Sequence, residues 1–393
     1  MKILLVHNDY GAYSGEEKAV DMMALMLENM GLSALQLRTS TSGVRNTVSG
    51  RIRVFLNSIY SFSGRRLMRK SLKIINPSVV IINNLYPFIS PWSLLECHKA
   101  GIPVVMRVHN YRLLCPNGLF YSNGNICECC LTQGYEWPCI IRNCTGELLK
   151  SVIYALRNAL ARYRKLYINN VNKYVCLTDF QKYKLIEGGI SEERIEVIAN
   201  HVCDFPKGNV RIGNYVGVCG RLSEEKGIDL ILQAAVLCPD IHFKIAGETY
   251  NFYFSNVPAN VEFCGFLKGD SLEEFFLEAR FMVSGSRCYE GQPMSVIEAA
   301  LHSKISIIPL HGSFLEILSS SDIQRIAGYR SGDLYSLVNR IRYLWNNPEK
   351  CIKLGNSVRN VAEKEYSLSG VSKKWKRVLD EVVNIDHNYC QNT

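Results

Sequence analysis

The sequence predicts an α/β protein built from two Rossmann-like, doubly wound domains that face a cleft. Apolar runs of strand length alternate with helical patterns along the whole chain. Two charged loops that contain glycine each follow such a run, and 393 residues suffice for two hydrophobic cores. Ligands of parallel sheets bind beyond the carboxyl ends of the strands, so we expect the functional residues in those loops, at the cleft.

Strand-like runs occur in both halves of the chain. In the first half they are Ile3–Val6, Ala34–Leu37, Val79–Ile82, Val104–Val108, Tyr174–Leu177 and Ile195–Ile198. In the second half they are Tyr215–Val218, Ile241–Ile245, Val261–Phe263, Phe281–Val283 and Ile305–Ile308. A polar stretch at His201–Ile212, with Pro206 and Gly208, marks the predicted join. This join divides the chain into a first domain over 1–200, a second domain over 213–365 and a last helix over 366–385.

The composition predicts a cytoplasmic protein. Apolar residues make up 47% of the chain, yet no apolar stretch approaches the roughly 18 to 20 residues that a membrane-spanning helix needs. Residues 2–6 are too short for the core of a signal peptide. Most of the 15 cysteines stand singly on strand-like runs, as Cys176, Cys219 and Cys264 do. That pattern favours free thiols in a reducing compartment over a disulfide framework.

The excess positive charge lies in the first half of the chain. Residues 1–200 carry 24 Lys and Arg against 14 Asp and Glu, whereas residues 201–393 carry 21 against 22. Two stretches, Arg51–Lys73 and Lys150–Lys165, combine cations with apolar residues and predict basic amphipathic helices suited to an anionic membrane surface. A soluble basic face is the alternative. No nucleic-acid recognition motif accompanies these charges, so we do not expect nucleic acid as a partner.

The most informative segment is Glu290-Gly-Gln-Pro-Met-Ser-Val-Ile-Glu298, in which two carboxylates flank a Gly and a Pro. It lies between the run Phe281–Val283 and a helical pattern, so Glu290 is predicted in a loop and Glu298 about one and a half turns into the helix. The predicted anion site at the helix N-terminus consists of the amides of Gly291, Gln292 and Met294. Such a unit could hold a sugar nucleotide by its phosphate and hydroxyl groups. A solvated helix with two surface glutamates is the alternative.

A second charged loop reads Gly220-Arg-Leu-Ser-Glu-Glu-Lys-Gly227 and follows the apolar run Tyr215–Cys219. A helical pattern begins directly after it, so Arg221 and Lys226 are predicted in a strand-to-helix loop. Two cations in such a loop could neutralise a diphosphate. Ordinary loop charge is the alternative.

The two loops, in this order and about 70 residues apart, resemble the retaining glycosyltransferases of family 4, which have the two-domain GT-B fold. The resemblance spans nearly the whole chain and extends to Met1–Val6, Ser14-Gly15-Glu-Glu17, His109-Asn110 and Val261–Gly265. It implies that the first domain binds the acceptor and that the second binds the nucleotide sugar. It also implies that the terminal helix crosses back to the first domain.

The resemblance implies roles for individual residues. Arg221 and Lys226 would act on the departing diphosphate, Glu290 would orient the sugar, and His109 would approach the sugar ring. Glu298 would hold the ribose. The predicted catalytic residues are Glu290, Arg221, Lys226 and His109, and the predicted donor-binding residues are Gly15, Gly220, Gly291, Gln292, Pro293, Met294 and Glu298. Because the sequence contains no Asp-x-Asp pattern and the loop already supplies cations, we expect no metal or other cofactor in catalysis.

A cysteine-rich insertion over 115–144 contains six cysteines within 30 residues. Cys127 and Cys130 have the spacing of a zinc knuckle, and Cys115 and Cys144 could complete four thiolates for a structural zinc. The remaining two, Cys129 and Cys139, are surplus to such a site. Unligated thiols in a flexible acceptor loop are the equally weighted alternative. A similar insertion occurs in some bacterial members of the family that the sequence resembles.

The implied function is retaining glycosyl transfer from a nucleoside diphosphate sugar, with UDP rather than GDP expected, to a glycan or a polyprenyl-diphosphate-linked acceptor. Similar bacterial enzymes act in O-antigen and other lipopolysaccharide biosynthesis, or build capsule or exopolysaccharide, so we expect a peripheral protein at the inner face of the cytoplasmic membrane. One alternative is a sugar-nucleotide epimerase of the same architecture, against which the loop pair argues. A second is a non-catalytic scaffold that uses the cysteine-rich segment, against which the intact loop residues argue: Arg221, Lys226, Glu290 and Glu298.

Overall fold

The structure is a computed structural model that describes residues 1–9, 15–44, 47–202, 211–249, 256–317 and 321–390. The chain forms two compact units. The first comprises Met1–Ser122, Glu128–His201 and Leu368–Thr393, and the second comprises Asn123–Cys127 and Val202–Ser367. Ser14 and residues 203–210 of the predicted join lie outside the described residues.

The described residues form fourteen strands: β1 (Lys2–Asp9), β2 (Ser33–Ser40), β3 (Val79–Ile82), β4 (Val104–Arg107), β5 (Tyr121–Ser122), β6 (Asn125–Ile126), β7 (Lys173–Cys176), β8 (Ile195–Val197), β9 (Tyr215–Cys219), β10 (Phe243–Ala246), β11 (Val261–Gly265), β12 (Ala279–Val283), β13 (Ser306–Pro309) and β14 (Gly328–Tyr329). The sheet of the first unit has the order β2-β1-β3-β4-β7-β8, and that of the second has the order β11-β10-β9-β12-β13-β14. Neighbouring strands are parallel throughout both sheets. The predicted α/β class is confirmed.

The same residues form seventeen α-helices: α1 (Gly15–Asn29), α2 (Val48–Ile59), α3 (Phe62–Ile75), α4 (Leu94–Lys99), α5 (Cys129–Gln133), α6 (Trp137–Ile141), α7 (Leu148–Tyr163), α8 (Leu166–Asn170), α9 (Asp179–Glu187), α10 (Ile228–Val236), α11 (Asp270–Glu278), α12 (Met294–Leu301), α13 (Phe314–Ile317), α14 (Ser321–Ala327), α15 (Leu334–Trp345), α16 (Pro348–Glu365) and α17 (Leu368–Cys390). None of these helices is long and apolar enough to cross a membrane, so far as the described residues extend.

Strand β1 shows why helices cover both faces of the first sheet. Alternate side chains of a strand point to opposite faces, and here both sets are apolar and buried. Leu4 belongs to a core cluster with Met68 of α3, whereas Ile3 belongs to another with Met23 of α1 and Trp375 of α17. The terminal helix is therefore part of the core of the first unit, where Trp375 is fully buried.

All eleven strand-like runs of the sequence correspond to strands. The three further strands, β5, β6 and β14, have two residues each. A pair of residues carries no measurable periodicity, so these strands could not be predicted from the pattern.

The predicted basic helix over Arg51–Lys73 is wrong in its extent, because the chain forms two helices there. Ser61 interrupts the helix and caps α3, since its hydroxyl accepts a hydrogen bond from the amide of Gly64 at 3.0 Å. A side chain at Gly64 would lie 2.4 Å from the carbonyl oxygens of Phe88 and Ile89, so this turn of α3 packs directly on another backbone segment. The helix predicted over Lys150–Lys165 is present as α7.

Candidate functional site

The two charged loops of the second unit lie at the same edge of its sheet. Strand β9 leads into the loop of Arg221 and Lys226, and strand β12 leads into the loop of Glu290. Because β9 and β12 are adjacent and parallel, their carboxyl ends meet. Two segments some 70 residues apart in sequence are therefore neighbours at the edge of the sheet where the sequence predicted both loops.

Glycines allow the two loops to touch through their backbones. Gly227 has a φ of 64°, and a side chain there would lie 2.0 Å from the carbonyl oxygen of Gly285. A side chain at Gly285 would in turn lie 2.6 Å from the carbonyl oxygen of Gly227. Nearby, the amide of Arg287 donates to the carbonyl of Glu225 at 2.8 Å. Neither glycine can be replaced without separating the loops.

Lys226 and Glu290 form the central pair of this site. The Lys226 Nζ lies 2.5 Å from Glu290 Oε1, and the Ser286 hydroxyl donates to the same oxygen at 2.9 Å. The Ser313 hydroxyl donates to the carbonyl oxygen of Glu290, also at 2.9 Å, and so holds its backbone. The side chain of Lys226 is about a quarter exposed and that of Glu290 is more buried, so the pair lies in a partly enclosed position.

The two charges stabilise each other against burial. Burial alone would raise the pKa of Glu290, but the Lys226 ammonium and the hydrogen bonds of Lys226 and Ser286 hold it below its ordinary value. Burial likewise opposes the charge of Lys226, and the Glu290 carboxylate nevertheless raises the pKa of the lysine above its ordinary value. Both groups are therefore charged at neutral pH.

Arg221 occupies a more exposed place in the same loop. Its side chain is half exposed, and its Nη2 donates to Glu225 Oε1 at 2.8 Å. Its charge contributes to the lowered pKa of Glu290. The two predicted cations are thus close to one another, and each already has a carboxylate partner within its own unit.

The segment between Glu290 and Glu298 has the predicted loop-to-helix form. Helix α12 begins at Met294, directly after Pro293, and Glu298 is its fifth residue. Gln292 and Pro293 are buried, whereas Gly291 and Met294 are partly exposed. The Glu298 side chain is partly exposed as well. This geometry places the loop before α12 beside the Lys226–Glu290 pair.

A third loop, which the sequence patterns did not single out, reaches the same edge. Gly247 follows β10 with a φ of 155°, and a side chain there would lie 1.8 Å from the carbonyl oxygen of Gly220. The amide of Leu222 also donates to the carbonyl of Glu248 at 2.9 Å. Gly220 itself has a φ of 146°. A glycine directly after a buried strand was the available signal for this third loop.

His109 and Gly15 belong to the first unit. His109 follows β4, and its Nε2 lies 3.0 Å from Asn83 Oδ1. Burial, together with the charge of Arg107, holds the pKa of His109 well below its ordinary value, so the imidazole is neutral at pH 7. A pocket of about 50 Å³ lies at this end of β3 and β4 and is lined by His109, Asn83, Asn84 and Arg112, among other residues. Gly15 is exposed as the first residue of α1.

The cysteine-rich insertion brings a different set of thiols together from the predicted one. Cys130 and Cys139 share a small apolar cluster against which Cys144 packs. The neighbouring Cys139 lowers the pKa of the Cys144 thiol below its ordinary value. Cys115 is buried and donates to Asn117 Oδ1 at 3.0 Å. Cys139, which was predicted to be surplus, thus belongs to the cluster against which Cys144 packs, and the zinc itself stays a prediction.

One group of three possible metal ligands exists among the residues that the structure describes. It consists of His7, Asp9 and Glu17 in the first unit, whose donor atoms lie within 4.8 Å of one another. Asp9 already accepts a hydrogen bond from Arg38 at 2.8 Å, so its charge is compensated without a metal. The predicted four-cysteine set, whose members are all described, does not form such a group.

Comparison with known proteins identifies the fold of this chain and matches part of its sequence to a protein family. Residues 206–361 match the model of the family described as glycosyl transferases group 1, which is 156 of the 393 residues. No protein among the curated ones matches the chain in sequence. The matched segment contains both charged loops, and it ends within α16.

Three solved structures share the architecture of this chain. HepE (Alr3699) of Anabaena in complex with UDP-glucose has a TM-score of 0.65 at 14% identity, covering 97% of this chain and all of that one. Sucrose-phosphate synthase of Thermosynechococcus elongatus has a TM-score of 0.71 at 12% identity, covering 98% and 99%. A glycosyltransferase of Rickettsia africae has a TM-score of 0.62 at 14% identity, covering 97% and 98%. At these identities the likeness establishes the fold alone, and that fold is GT-B.

Proposed function

We propose that this protein is a retaining glycosyltransferase that transfers a sugar from a nucleoside diphosphate sugar. The observation that carries the proposal is the Lys226–Glu290 pair on two loops joined through Gly227 and Gly285. The match of residues 206–361 to glycosyl transferases group 1 supports it. HepE, which has the same fold, binds UDP and UDP-glucose, and this supports UDP as the nucleotide.

The reaction breaks the bond between the anomeric carbon and the diphosphate and forms a bond from that carbon to an acceptor oxygen. The departing diphosphate gains negative charge, so fixed positive charge beside it lowers the barrier. Arg221 and Lys226 are the cations that the site offers for this purpose. The amides around Gln292 at the start of α12 would add a partial positive charge.

Donor binding would exchange partners at the central pair. Without the donor, Lys226 neutralises Glu290. A bound diphosphate would compete for the ammonium, and sugar hydroxyl groups would donate to the carboxylate in its place. Glu290 then orients the sugar, Lys226 binds the leaving group, and the loops need not move apart. Ser286 holds the Glu290 carboxylate and Ser313 holds the Glu290 backbone in position during the exchange.

His109 would contact the sugar as a neutral hydrogen-bonding group. Its pKa lies well below the ordinary value, so at pH 7 the imidazole is neutral, with one N–H that can donate a hydrogen bond, and it cannot act as a general acid. The same lowered pKa makes His109 a weak base, so the acceptor proton would pass to the departing diphosphate, on the face from which that group leaves. Attack on that same face would preserve the anomeric configuration.

The acceptor that we propose is a glycan or a polyprenyl-diphosphate-linked sugar at the inner face of a bacterial cytoplasmic membrane. The pathway would be synthesis of O-antigen, capsule or exopolysaccharide. The excess of basic residues in the first 200 residues supports an anionic membrane as the place of reaction. We propose no catalytic metal, and we retain a structural zinc in the cysteine-rich insertion as part of the proposal.

The experiment that tests the function follows a radiolabelled sugar. Purified protein is incubated with labelled UDP-glucose, or with other UDP- and GDP-sugars, together with bacterial lipid extract as the source of acceptor. Label that moves from the nucleotide to a lipid or glycan supports transfer, and the anomeric coupling in the NMR spectrum of the product tests retention. Label that stays on the nucleotide in an altered sugar would instead identify an epimerase. Glu290→Gln should abolish the signal, and Glu262→Gln, on exposed strand β11, is the matched control.

A further inference from the structure

The exposed face of α7 is apolar, which is the reverse of a helix on an ordinary protein surface. Its outward residues recur at the spacing of one helix face, with Leu149 68% and Tyr163 80% exposed. The others on this face are Val152, Leu156 and the partly exposed Leu160. A soluble helix places its polar side chains in water, so this face indicates a surface with a partner.

The buried face of α7 carries three polar residues beside the apolar Ile153, Ala155 and Ala161. Ser151, Arg157 and Asn158 are all buried, and each has hydrogen-bonding partners inside the first unit. The Ser151 hydroxyl donates to Asn143 Oδ1 at 3.0 Å, Arg157 donates to the carbonyl of Pro116 at 2.7 Å, and Asn158 donates to the carbonyl of Arg112 at 2.7 Å. The orientation of α7 is therefore held by specific bonds.

Neighbouring helices extend the apolar surface. Helix α7 packs against both α6 and α2. In α6, Trp137 and Ile141 are one helical turn apart and are 64% and 81% exposed. In α2, Leu56 is 57% exposed. We call the exposed apolar residues of α2, α6 and α7 the apolar surface of the first unit.

The charged side chains within these three helices are all positive. Helices α2, α6 and α7 contain no Asp or Glu at all. Arg53, Lys150 and Arg162 supply exposed cations, although Lys150 lies 3.9 Å from Glu147 and Arg162 is paired with Glu136 at 2.8 Å. Trp137 and Tyr163, at the edges of the surface, are the side chains that favour the boundary between water and lipid. Apolar residues bordered by cations and by Trp and Tyr match an anionic bilayer surface.

We infer that the first unit inserts the apolar surface of α2, α6 and α7 into the headgroup region of an anionic membrane. The inference rests on the proposed function in one respect, because a lipid-linked acceptor would lie in such a membrane. It also reduces the contribution to membrane binding that the sequence predicted for the cations of Arg51–Lys73 and Lys150–Lys165. Arg157 is buried, and Arg65 and Arg69 are bonded to Glu96, so part of the positive charge of these stretches is already paired within the first unit. Insertion of the exposed apolar side chains is a contribution that salt does not screen, so we expect binding to largely resist salt.

The test compares two triple variants of the full chain by vesicle co-sedimentation. The first is Leu149→Ser, Val152→Ser and Leu156→Ser, all on α7. The matched control is Leu25→Ser, Val236→Ser and Leu237→Ser, which removes the same residue types from exposed positions elsewhere. The vesicles are phosphatidylcholine alone, or phosphatidylcholine with 30% phosphatidylglycerol, at roughly 0.05 M and 0.5 M NaCl.

The wild type and the control variant should bind the anionic vesicles and keep at least half of that binding at high salt. The α7 variant should bind at least tenfold more weakly while keeping its circular dichroism spectrum. Equal binding by the two variants, or no binding by the wild type, would overturn the inference. A wild-type dimer in light scattering that dissociates in the α7 variant would also overturn it, because a second copy would then cover this face.

A separate readout keeps the inference distinct from the proposed function. UDP should raise the melting temperature of the α7 variant as much as that of the wild type, because the charged loops lie in the other unit. Glu290→Gln should bind vesicles normally. Vesicle binding without any sugar transfer would overturn the glycosyltransferase and leave the membrane surface standing.

Discussion

Lys226 and Glu290 are 64 residues apart in sequence and 2.5 Å apart in the structure. Each lies on a loop that follows a strand of the same parallel sheet. The pair places a positive and a negative charge side by side. A sugar diphosphate would need the first for its phosphates and the second for its hydroxyl groups. Binding can then exchange existing interactions for new ones, which costs less than exposing an unpaired buried charge.

Glu290→Gln and Arg221→Ala should each remove most of the transfer activity. The first variant loses charge-assisted hydrogen bonds to sugar hydroxyls, and the second loses a cation beside the leaving diphosphate, so each kcat/KM should fall by about 100-fold or more. The melting temperatures of the two variants should differ. Arg221→Ala changes a half-exposed side chain and should be nearly neutral, whereas Glu290→Gln leaves Lys226 uncompensated and should cost about 1–3 kcal/mol. Near-normal turnover in either folded variant would refute the donor-site assignment.

Gly227→Ala should destabilise the protein through both backbone conformation and a clash. Gly332 provides the control, because its φ of 76° is similar to the 64° of Gly227 but no atom lies within 4 Å of a side chain built there. We expect Gly332→Ala to cost about 1 kcal/mol from backbone strain alone and Gly227→Ala to cost about 2–4 kcal/mol. Urea unfolding measures both. Equal costs would show that the contact between the loops of Gly227 and Gly285 does not matter.

Glu96 should make stability fall in acid. Hydrogen bonds from Arg69 and then Arg65, against the opposing effect of burial, lower the pKa of Glu96 to about 2. A carboxyl group with a lowered pKa contributes stability above its unfolded value near 4.5 and loses it as pH falls towards 2. Replacing Glu96 by Gln should therefore cost up to about 3 kcal/mol at pH 7, about half of that near pH 3 and little near pH 2, as measured by thermal unfolding. Glu147→Gln, at a side chain 74% exposed, should show no such dependence.

Arg65→Ser and Arg69→Ser should act through the same carboxylate and not through a membrane. Each removes a partner of the buried Glu96, so the double variant should unfold at a lower temperature, whereas Arg66→Ser should not. Vesicle binding by the folded fraction should stay near the wild-type value in all three. If only Arg66→Ser lost vesicle binding, surface charge would make the larger contribution to membrane binding.

Zinc analysis decides the cysteine-rich insertion. If the insertion holds a structural metal, purified protein should contain about one zinc per chain, and Cys144→Ser should lose it, because Cys144 has the thiol with the lowered pKa. Cys264→Ser, in the second unit, is the control. Zinc below roughly 0.2 per chain in the wild type would remove the four-thiolate site. EDTA should leave sugar transfer intact over minutes in either case, since no metal acts in the proposed chemistry.

The sequence by itself determined the α/β class, the eleven longer strands and the two charged loops. Apolar runs such as Val79–Ile82 form strands that are buried on both faces. Because such a strand consists of apolar residues throughout, its burial could be predicted from its composition. The loops could be placed because parallel strands carry their functional residues at the carboxyl ends. The strands and loops are local properties that can be recognised over fewer than ten residues, and the α/β class follows from their order along the chain.

Only the tertiary structure decided which of the predicted groups meet. Lys226 bonds to Glu290, Arg157 turns inward, and Cys139 contacts Cys144, yet no spacing in the sequence distinguishes these from other pairings. The apolar face of α7 points outward because hydrogen bonds of Ser151, Arg157 and Asn158 hold the other face in the interior. A pattern of polar and apolar residues fixes the period of a helix, but the choice of which face is buried depends on partners that come from distant parts of the chain.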